Sequence, residues 1–379
     1  MSGFDGGILS GIRIVEFEGL GPAPFCAMLL ADLGADVIVI ERKGGADAGA
    51  AAIFKRGKRS IVLDLKDRTA RNIAADIVAN ADALIEGMRP GVMERLGLGP
   101  DDMRARNKKL VYGRLTGWGQ DGPLAHVAGH DINYVSLSGA AWYAGAGDTP
   151  PTPPPTLVGD VGGGSLYLAI GILAGVLKAR ETGEGCVVDA AIVDGSAHMM
   201  NLLYSLRAAG GMPDARGQSM IDGAHFYASY QCADDHWISI GPLEPKFYSE
   251  LLERLGLQDD AAFANQFDRD KWPALKQRFA AIFKTKSRDE WVERLHGTDV
   301  CFAPVLTPGE AAKDEHMRAR NILRDIDGVL QAASAPRFNG ETPPDPRAIP
   351  SPGEHAEEIL AEIGVDDREI AAWREDGTL

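Results

Sequence analysis

The chain has 379 residues, 45% hydrophobic and 25% charged, an ordinary globular composition with enough apolar material for a large core and a length that suggests two to three domains. Lys and Arg number 39 against 54 Asp and Glu, a formal net charge of −15, so no global basic surface points to nucleic acid. Cys26, Cys186, Cys232 and Cys301 lack metal-ligand spacing and read as free thiols of a reducing, cytoplasmic compartment.

No basic segment leads into an apolar one at the N-terminus, so no secretory signal is expected, and the final Asp376-Gly377-Thr378-Leu379 is not a Ser-Lys-Leu-type peroxisomal address. The longest apolar run, Leu166 to Leu177, is shorter than the roughly 20 residues a bilayer span needs, and no membrane partner is expected.

Ile12 to Phe17 is a β-rich apolar run. Pro22 and Pro24 then suit the first turn of a helix reaching about Leu33, with Gly34 just past its end. Val37 to Ile40 is a second strand, so a βαβ unit and a parallel sheet are predicted. No Gly-x-Gly-x-x-Gly follows the first strand, which argues against a dinucleotide site of the usual kind. Residues 42–68 hold eight basic side chains (Arg42, Lys43, Lys55, Arg56, Lys58, Arg59, Lys66, Arg68) against Asp47, Asp64 and Asp67. A solvated loop is the commoner meaning of such a stretch; the functional one is a site for a polyanion such as a nucleotide phosphate.

Ser60 to Leu65 is predicted as a strand, Thr69 to Asn80 as a helix and Ala83 to Glu86 as the next strand. Gly87-Met88-Arg89-Pro90-Gly91 turns the chain at that strand's C-terminal end, where open parallel sheets bind ligands, so Arg89 and Arg95 fall near the expected site. After a strand at Leu110 to Leu115, the loop Thr116 to Pro123 leads to Gly129-His130-Asp131-Ile132-Asn133-Tyr134 and an apolar run, Val135 to Ala141. His130 thus falls near a helix start, whose unsatisfied N–H groups can hold a developing oxyanion. Thr149 to Thr156 is a proline-dense connector to Leu157-Val158-Gly159-Asp160-Val161-Gly162-Gly163-Gly164-Ser165, with a helix from Gly163 to about Arg180. Taken singly, His130 is more often a cap or packed residue than a catalyst, and Asp160 more often an N-cap than a base.

A strand at Cys186 to Val193 and a helix over Asp194 to Ala208 follow, and Ala209-Gly210-Gly211-Met212-Pro213 marks a linker. Beyond it the texture is α+β: strands at Phe226–Tyr230 and Trp237–Ile240, then helices over about Pro245–Leu255, Trp272–Lys284 and Arg288–Leu295. A second linker starts around Pro304 to Glu310, and a Pro-rich tail ends in a helix over about Gly353–Ile363 and a last piece near Ile370. Met199, Met200, Met212 and Met220 are either core filler or a soft apolar wall for acyl chains. His126 and His130 stand four apart, but Gly129 and the lack of an acidic or Cys partner argue against a metal.

Several segments together resemble the family III CoA-transferase superfamily and, within it, the α-methylacyl-CoA racemases. They are Leu9 to Glu16, Leu29 to Val37, Glu86 to Gly91, Gly129 to Tyr134, Gly159 to Ser165 and Gly353 to Leu360; the His130 segment together with Glu244-Pro245-Lys246-Phe247-Tyr248 is the part most like the racemases. The resemblance implies an α/β fold with a Rossmann-like parallel-sheet large domain and a smaller α+β domain, in an interlocked homodimer. The partition expected is 1–208 for the first part of the CoA-binding large domain, 209–224 a linker, 225–300 the small domain, 301–318 a linker and 319–379 the return. It implies CoA contacts at Arg42, Leu63, Asp64, Leu65, Lys66, Gly87, Met88 (where an aromatic is common), Arg89, Arg95, Gly129, His130, Asp131, Ile132, Asn133 and Tyr134. No cofactor beyond the substrate's CoA moiety, and no metal, is implied.

A racemase acting α to a thioester removes a proton from one face of the carbon and returns it on the other. That requires two acid–base groups and an oxyanion donor. On the resemblance these are His130 and Asp160, with the Asp131 backbone N–H at the thioester oxygen and Glu244 orienting His130. Imidazole suits such work because its reference pKa is about 6.5, and burial beside an acyl chain should raise the Asp160 carboxyl. The alternative is a family III CoA-transferase using Asp160 as nucleophile, and a more distant one is a non-catalytic acyl-CoA sensor.

Overall fold

The structure, a computed structural model, describes residues 7–44 and 52–379. They fall into two compact units: one takes the chain to Ser138, then Pro154–Met199 and Arg318–Leu379, and the other takes Gly139–Pro153 and Met200–Met317. This division differs from the sequence partition. It breaks the chain after Met199 rather than at 208, moves Gly139–Pro153 into the second unit, and takes residues 209–224 and 301–317, read as linkers, into that unit as well. There Arg216 hydrogen-bonds the carbonyls of Thr149, Ala144 and Ala146 at 2.5, 2.8 and 2.8 Å, pinning that segment.

The first unit is built on six parallel strands: β1 (Arg13–Phe17), β2 (Asp36–Glu41), β3 (Arg59–Val62), β4 (Ala83–Glu86), β5 (Val111–Thr116) and β6 (Val187–Ala191), in spatial order β3-β2-β1-β4-β5-β6. Side chains alternate across it as the period of two requires. Val15, Phe17, Ile38, Leu84 and Tyr112 enter one core, and Ile14, Val37, Ala83, Ile85 and Val111 enter the other.

Connecting helices are α1 (Pro22–Asp32), α2 (Arg68–Ala79), α3 (Val92–Arg95), α4 (Pro100–Arg106), α5 (Asp131–Leu137), α6 (Leu166–Thr182) and α7 (Ile192–Met199). α1 begins with proline in its first turn, and α2 is capped by the Asp67 carboxylate accepting from Ala70 N–H at 2.9 Å. The sheet reverses its winding between β1 and β4, the place where such sheets open a crevice at their C-terminal ends.

The helical run that contains α6 starts earlier than the Gly163 expected from sequence, because Leu157–Ser165 is already wound as a π-type helix continuous with α6. The combined run, Leu157–Thr182, is 26 residues and meets the length and hydropathy of a membrane span, unlike the shorter stretch read from sequence. Its Leu168, Ile172 and Val176 lie in the core beside β5, and a core helix passes the same test.

The second unit contains α8 (Asn201–Ala208), β7 (Ala228–Gln231), β8 (Trp237–Ile240), α9 (Pro245–Leu255), α10 (Trp272–Phe283), α11 (Arg288–Leu295), β9 (Phe302–Val305) and α12 (Pro308–Ala311), with α13 (Glu315–Ala319) crossing its boundary. Its sheet is antiparallel, order β7-β8-β9, over a core of Phe226, Phe263, Trp272, Phe279, Phe283 and Trp291. β9 lies where a linker was expected. Pro304 disguises it, yet an edge strand tolerates a proline.

The return to the first unit brings a hairpin, β10 (Leu323–Ile326) and β11 (Val329–Ala332), and then α14 (Ala356–Glu362) and α15 (Asp367–Asp376). Ile359, Leu360 and Ile370 join the same core as Val15 and Leu84, so both ends of the chain build one body.

Candidate active site

Three loops meet at the C-terminal ends of the central strands. The β1–α1 turn brings Leu20, Gly21, Pro22 and Ala23, the turn after β4 brings Gly87, Met88, Arg89 and Pro90, and the segment after β5 brings Thr116, Gly117 and Trp118. Together with Ala125, with Val127 to His130, and with Tyr134, Asp160 and Ile192 they line a cavity of 330 Å³. His130 and Asp160 therefore open onto one space, although 30 residues apart in sequence.

His130 stands immediately before α5, an end it shares with Asn133: its backbone N–H donates to Asn133 Oδ1 at 3.1 Å and its carbonyl accepts from Asn133 N–H at 2.8 Å. The imidazole is thus left exposed at the cavity rather than spent as a cap. Next to it the Asp131 N–H occupies the first helical position, where no intrahelical acceptor exists.

Asp160 sits inside the π-type turn, not at an N-cap. Its N–H donates to Asp131 Oδ1 at 2.9 Å, and its carbonyl accepts from Ser165 Oγ at 3.0 Å. π-Type turns recur at functional sites because they reorient one side chain within a packed helix. Glycines permit the close approach: a Cβ on Gly163 would stand 2.6 Å from Ser196 Oγ and 2.8 Å from the Ile192 carbonyl of α7. Burial pushes the Asp160 carboxyl above the usual carboxylate range, the neighbouring Asp131 charge adds to this, and His130 opposes it.

Beneath the cavity the buried Glu86 accepts from Met88 N–H at 2.6 Å and from Arg114 Nε at 2.9 Å, and Arg114 reaches Glu94 at 2.7 Å. This fixes the Gly87–Pro90 turn. Trp118 and Tyr134 meet edge to face at 4.7 Å, and the Tyr134 hydroxyl donates to the Gly129 carbonyl, setting the approach to His130. A Cβ on Gly117 would overlap the Tyr134 ring at 2.0 Å, so that turn can only be glycine.

The sequence matches the family model for CoA-transferase family III over residues 9–356. The chain belongs to this family. It is 40% identical to the α-methylacyl-CoA racemase of Mus musculus over 97% of both chains, and 40% identical to that of Homo sapiens over 96% of this chain and 95% of the other. Among solved structures, a CAIB/BAIF family protein from Brucella suis superposes with a TM-score of 0.82 at 26% identity, covering 94% of this chain and all of that one.

For a family III chain the cavity collects only part of the site read from sequence. His130, Asp160, Gly87, Met88, Arg89, Gly129 and Tyr134 line it; Asp131, Ile132, Asn133, Arg95, Arg42 and Leu63 to Lys66 do not. The walls that sequence reading missed are Leu20 to Ala23, Leu115 to Trp118 and Ile192, which come from loops far apart in the chain. Ile132, Asn133 and Arg95 are exposed beside the lining residues. Leu63 is fully buried in the core and Leu65 packs against it, while the Leu65 and Lys66 carbonyls accept from Arg71 at 2.9 and 2.8 Å. Asp64 turns back on its own loop, accepting from Lys66 N–H at 3.0 Å.

The basic stretch requires a correction. Arg56 and Lys58 are buried, bound to Asp32 and Glu16; Lys55 binds Glu41 and Glu18; and Arg59 binds Asp36, Glu358 and Glu362. Four of the eight charges hold the first unit together and are not offered to a polyanion. Arg42, 74% exposed against Glu18, and the exposed Lys66 and Arg68 remain at the surface; Asp47 lies outside the described residues.

Glu244 is exposed at the start of α9 in the second unit. Met199 packs on Gly162 in the first unit; Met212 is buried and Met220 packs on the core in the second, as filler. Among the described residues no three His, Cys, Asp or Glu are grouped as metal ligands. A larger cavity, 420 Å³, lies between the far end of α1 and residues 334–347; it has no histidine, and its Asp32 is tied to Arg56.

Proposed function

We propose that this family III protein interconverts the (R) and (S) forms of 2-methylacyl-CoA thioesters. His130 takes or returns the α-proton on one face and Asp160 on the other. The observation that carries the reading is that an imidazole and a half-buried carboxyl, from two different elements, open onto one cavity at the switch point of the sheet. Similarity to two racemases along nearly the whole chain supports it.

Removing the α-proton places negative charge on the thioester oxygen. The Asp131 N–H, at a helix start beside His130, is the proposed donor to it. Burial favours the protonated form of Asp160, which suits a group that must both accept and deliver a proton. Arg89, exposed at the cavity, and the surface side chains of Arg42, Lys66 and Arg95 are proposed to hold the anionic CoA moiety, with no further cofactor and no metal. We further assign Glu244 to orienting His130 within a homodimer, and the protein to cytoplasmic lipid metabolism, without nucleic-acid or membrane partners.

The competing reading is CoA transfer. The Asp160 carboxylate would attack the thioester carbonyl, expel CoA as thiolate and hold the acyl group as a mixed anhydride. Incubating one epimer of a 2-methylacyl-CoA in D₂O separates the two. Deuterium at the α-carbon with mixing of epimers is expected. Acyl exchange onto a free carboxylate without deuteration would replace racemisation by transfer.

A further inference from the structure

The side chain of Asp131 is engaged in a way that its proposed backbone role does not explain. The residue is 8% exposed, and its carboxylate is spent on main chain: Oδ1 accepts from Asp160 N–H at 2.9 Å and Oδ2 from Thr156 N–H at 3.2 Å. The clamped segment is shaped to receive it. Thr156, at its start, adopts a left-handed conformation, φ 60°. Between Thr156 and Asp160, Gly159 passes so close that a Cβ there would stand 2.4 Å from Asp131 Oδ1 and 2.9 Å from Val135. On its other side the Asp160 carbonyl, 3.0 Å from Ser165 Oγ, shares that hydroxyl's single proton with the Pro22 carbonyl of α1 at 2.7 Å. Asp160 is therefore gripped at both its N–H and its C=O, and the group gripping its N–H is the residue joined covalently to His130.

We propose that the Asp131 carboxylate is a positioning residue that sets the spacing between His130 and Asp160 by fastening the Asp160-bearing turn to the start of α5. The inference rests on the racemase reading for its catalytic meaning, but the clamp itself does not. Few other charges compete at this position. His130 and Asp131 face Asp160 from α5 and its start, and Tyr134 and Arg89 line the same cavity. The packed surfaces of α7, β5 and α1 contribute Ile192, Ser196, Met199, Leu115 and Pro22, all without charge. The same carboxylate adds to the burial that raises the Asp160 carboxyl, so the clamp also tunes the group it positions.

Asp131→Asn keeps the shape but turns one N–H donor against another and removes the charge. Amide hydrogen exchange of the full chain reads the clamp directly: Thr156 and Asp160 are protected in the wild type and lose protection in the variant. Wild-type amides without protection, or protection unchanged in Asp131→Asn, would overturn the clamp. With one epimer of a 2-methylacyl-CoA, the variant should lose about a hundredfold in kcat, the scale of a misplaced catalytic group, while KM changes less than about threefold. For the epimer whose proton Asp160 takes, the acid limb of kcat/KM should move to lower pH. An unchanged kcat and limb would sink the positioning role. If Asp131→Asn does not fold, Gly159→Ala, which drives a methyl into the carboxylate, should give the same losses. A wild type that incorporates no α-deuterium at all defeats the racemase reading, whatever the amides show.

Discussion

Charged side chains concentrate in two parts of the first unit, and they are used in opposite ways. Between Lys55 and Arg59 every cation faces carboxylates: Arg56 meets Asp32, Lys58 meets Glu16, Lys55 meets Glu41, and Arg59 meets Asp36. Lys58 and Glu16 are almost wholly buried; burial pushes Glu16 up and Lys58 down, each opposed by the other's charge. At the cavity, His130 and Asp160 share open space, and the charge that acts most on Asp160 is that of another acid, Asp131. Charges that hold a fold are matched across short distances, whereas those poised for chemistry are left mismatched beside a cavity. Counting charge along the chain cannot tell these apart; the pairing can.

The largest contrast should come from removing the open groups. His130→Ala and Asp160→Ala should each lower interconversion of epimers by at least about 10²–10⁴, the range for a lost acid–base group, while CoA binding measured by calorimetry persists. Full activity in either variant would take that residue out of the mechanism. Removing a matched group should leave chemistry alone and harm stability instead. Lys58→Ala strands a buried Glu16 and should cost about 3–5 kcal/mol in denaturant unfolding, whereas Lys58→Met with Glu16→Leu should be near neutral. Equal losses in the single and double variants would contradict the assignment of this pair to structure.

The pH dependence sharpens the same contrast. The Asp160 carboxyl is raised mainly by burial, so in the direction in which it takes the proton, kcat/KM should fall as pH drops through a value above the ordinary carboxylate range, about 3.9. A limb at or below the ordinary value would show Asp160 to be solvated during catalysis. The smallest effect belongs to the surface: Arg42→Ala, in an exposed pair with Glu18, should weaken CoA binding by about 0.2–1 kcal/mol, and less at high salt.

Much of the sheet was legible in the sequence because buried parallel strands leave short apolar runs between turn residues. Ala83–Glu86 and Trp237–Ile240 were read to the residue, and the approximate helices at Pro245–Leu255 and Arg288–Leu295 are present, bounded by Gly256 and by the Ser287–Glu290 capping box. β10 and β11 went unread although Asp327-Gly328, both at positive φ, is a strong hairpin signal. The site was legible only as two segments. Nothing local says that Leu20 to Ala23 and Leu115 to Trp118 complete its walls, because adjacency of β1 and β4 is a property of the sheet. Gly162 to Gly164 resembled a helix start, and only packing against α7 winds that stretch as a π-type turn. The side-chain role of Asp131 was hidden because its partners are amides 25 and 29 residues away.

The central claim is that His130 and Asp160 work on opposite faces of one carbon. Hydrogen exchange at the α-carbon in D₂O, followed separately for the (R) and (S) epimers in His130→Ala and in Asp160→Ala, tests it most directly. Each variant should exchange one epimer only, without inverting it, and the two variants should exchange opposite epimers. Exchange of the same epimer by both variants, or of both epimers by either, would contradict the account.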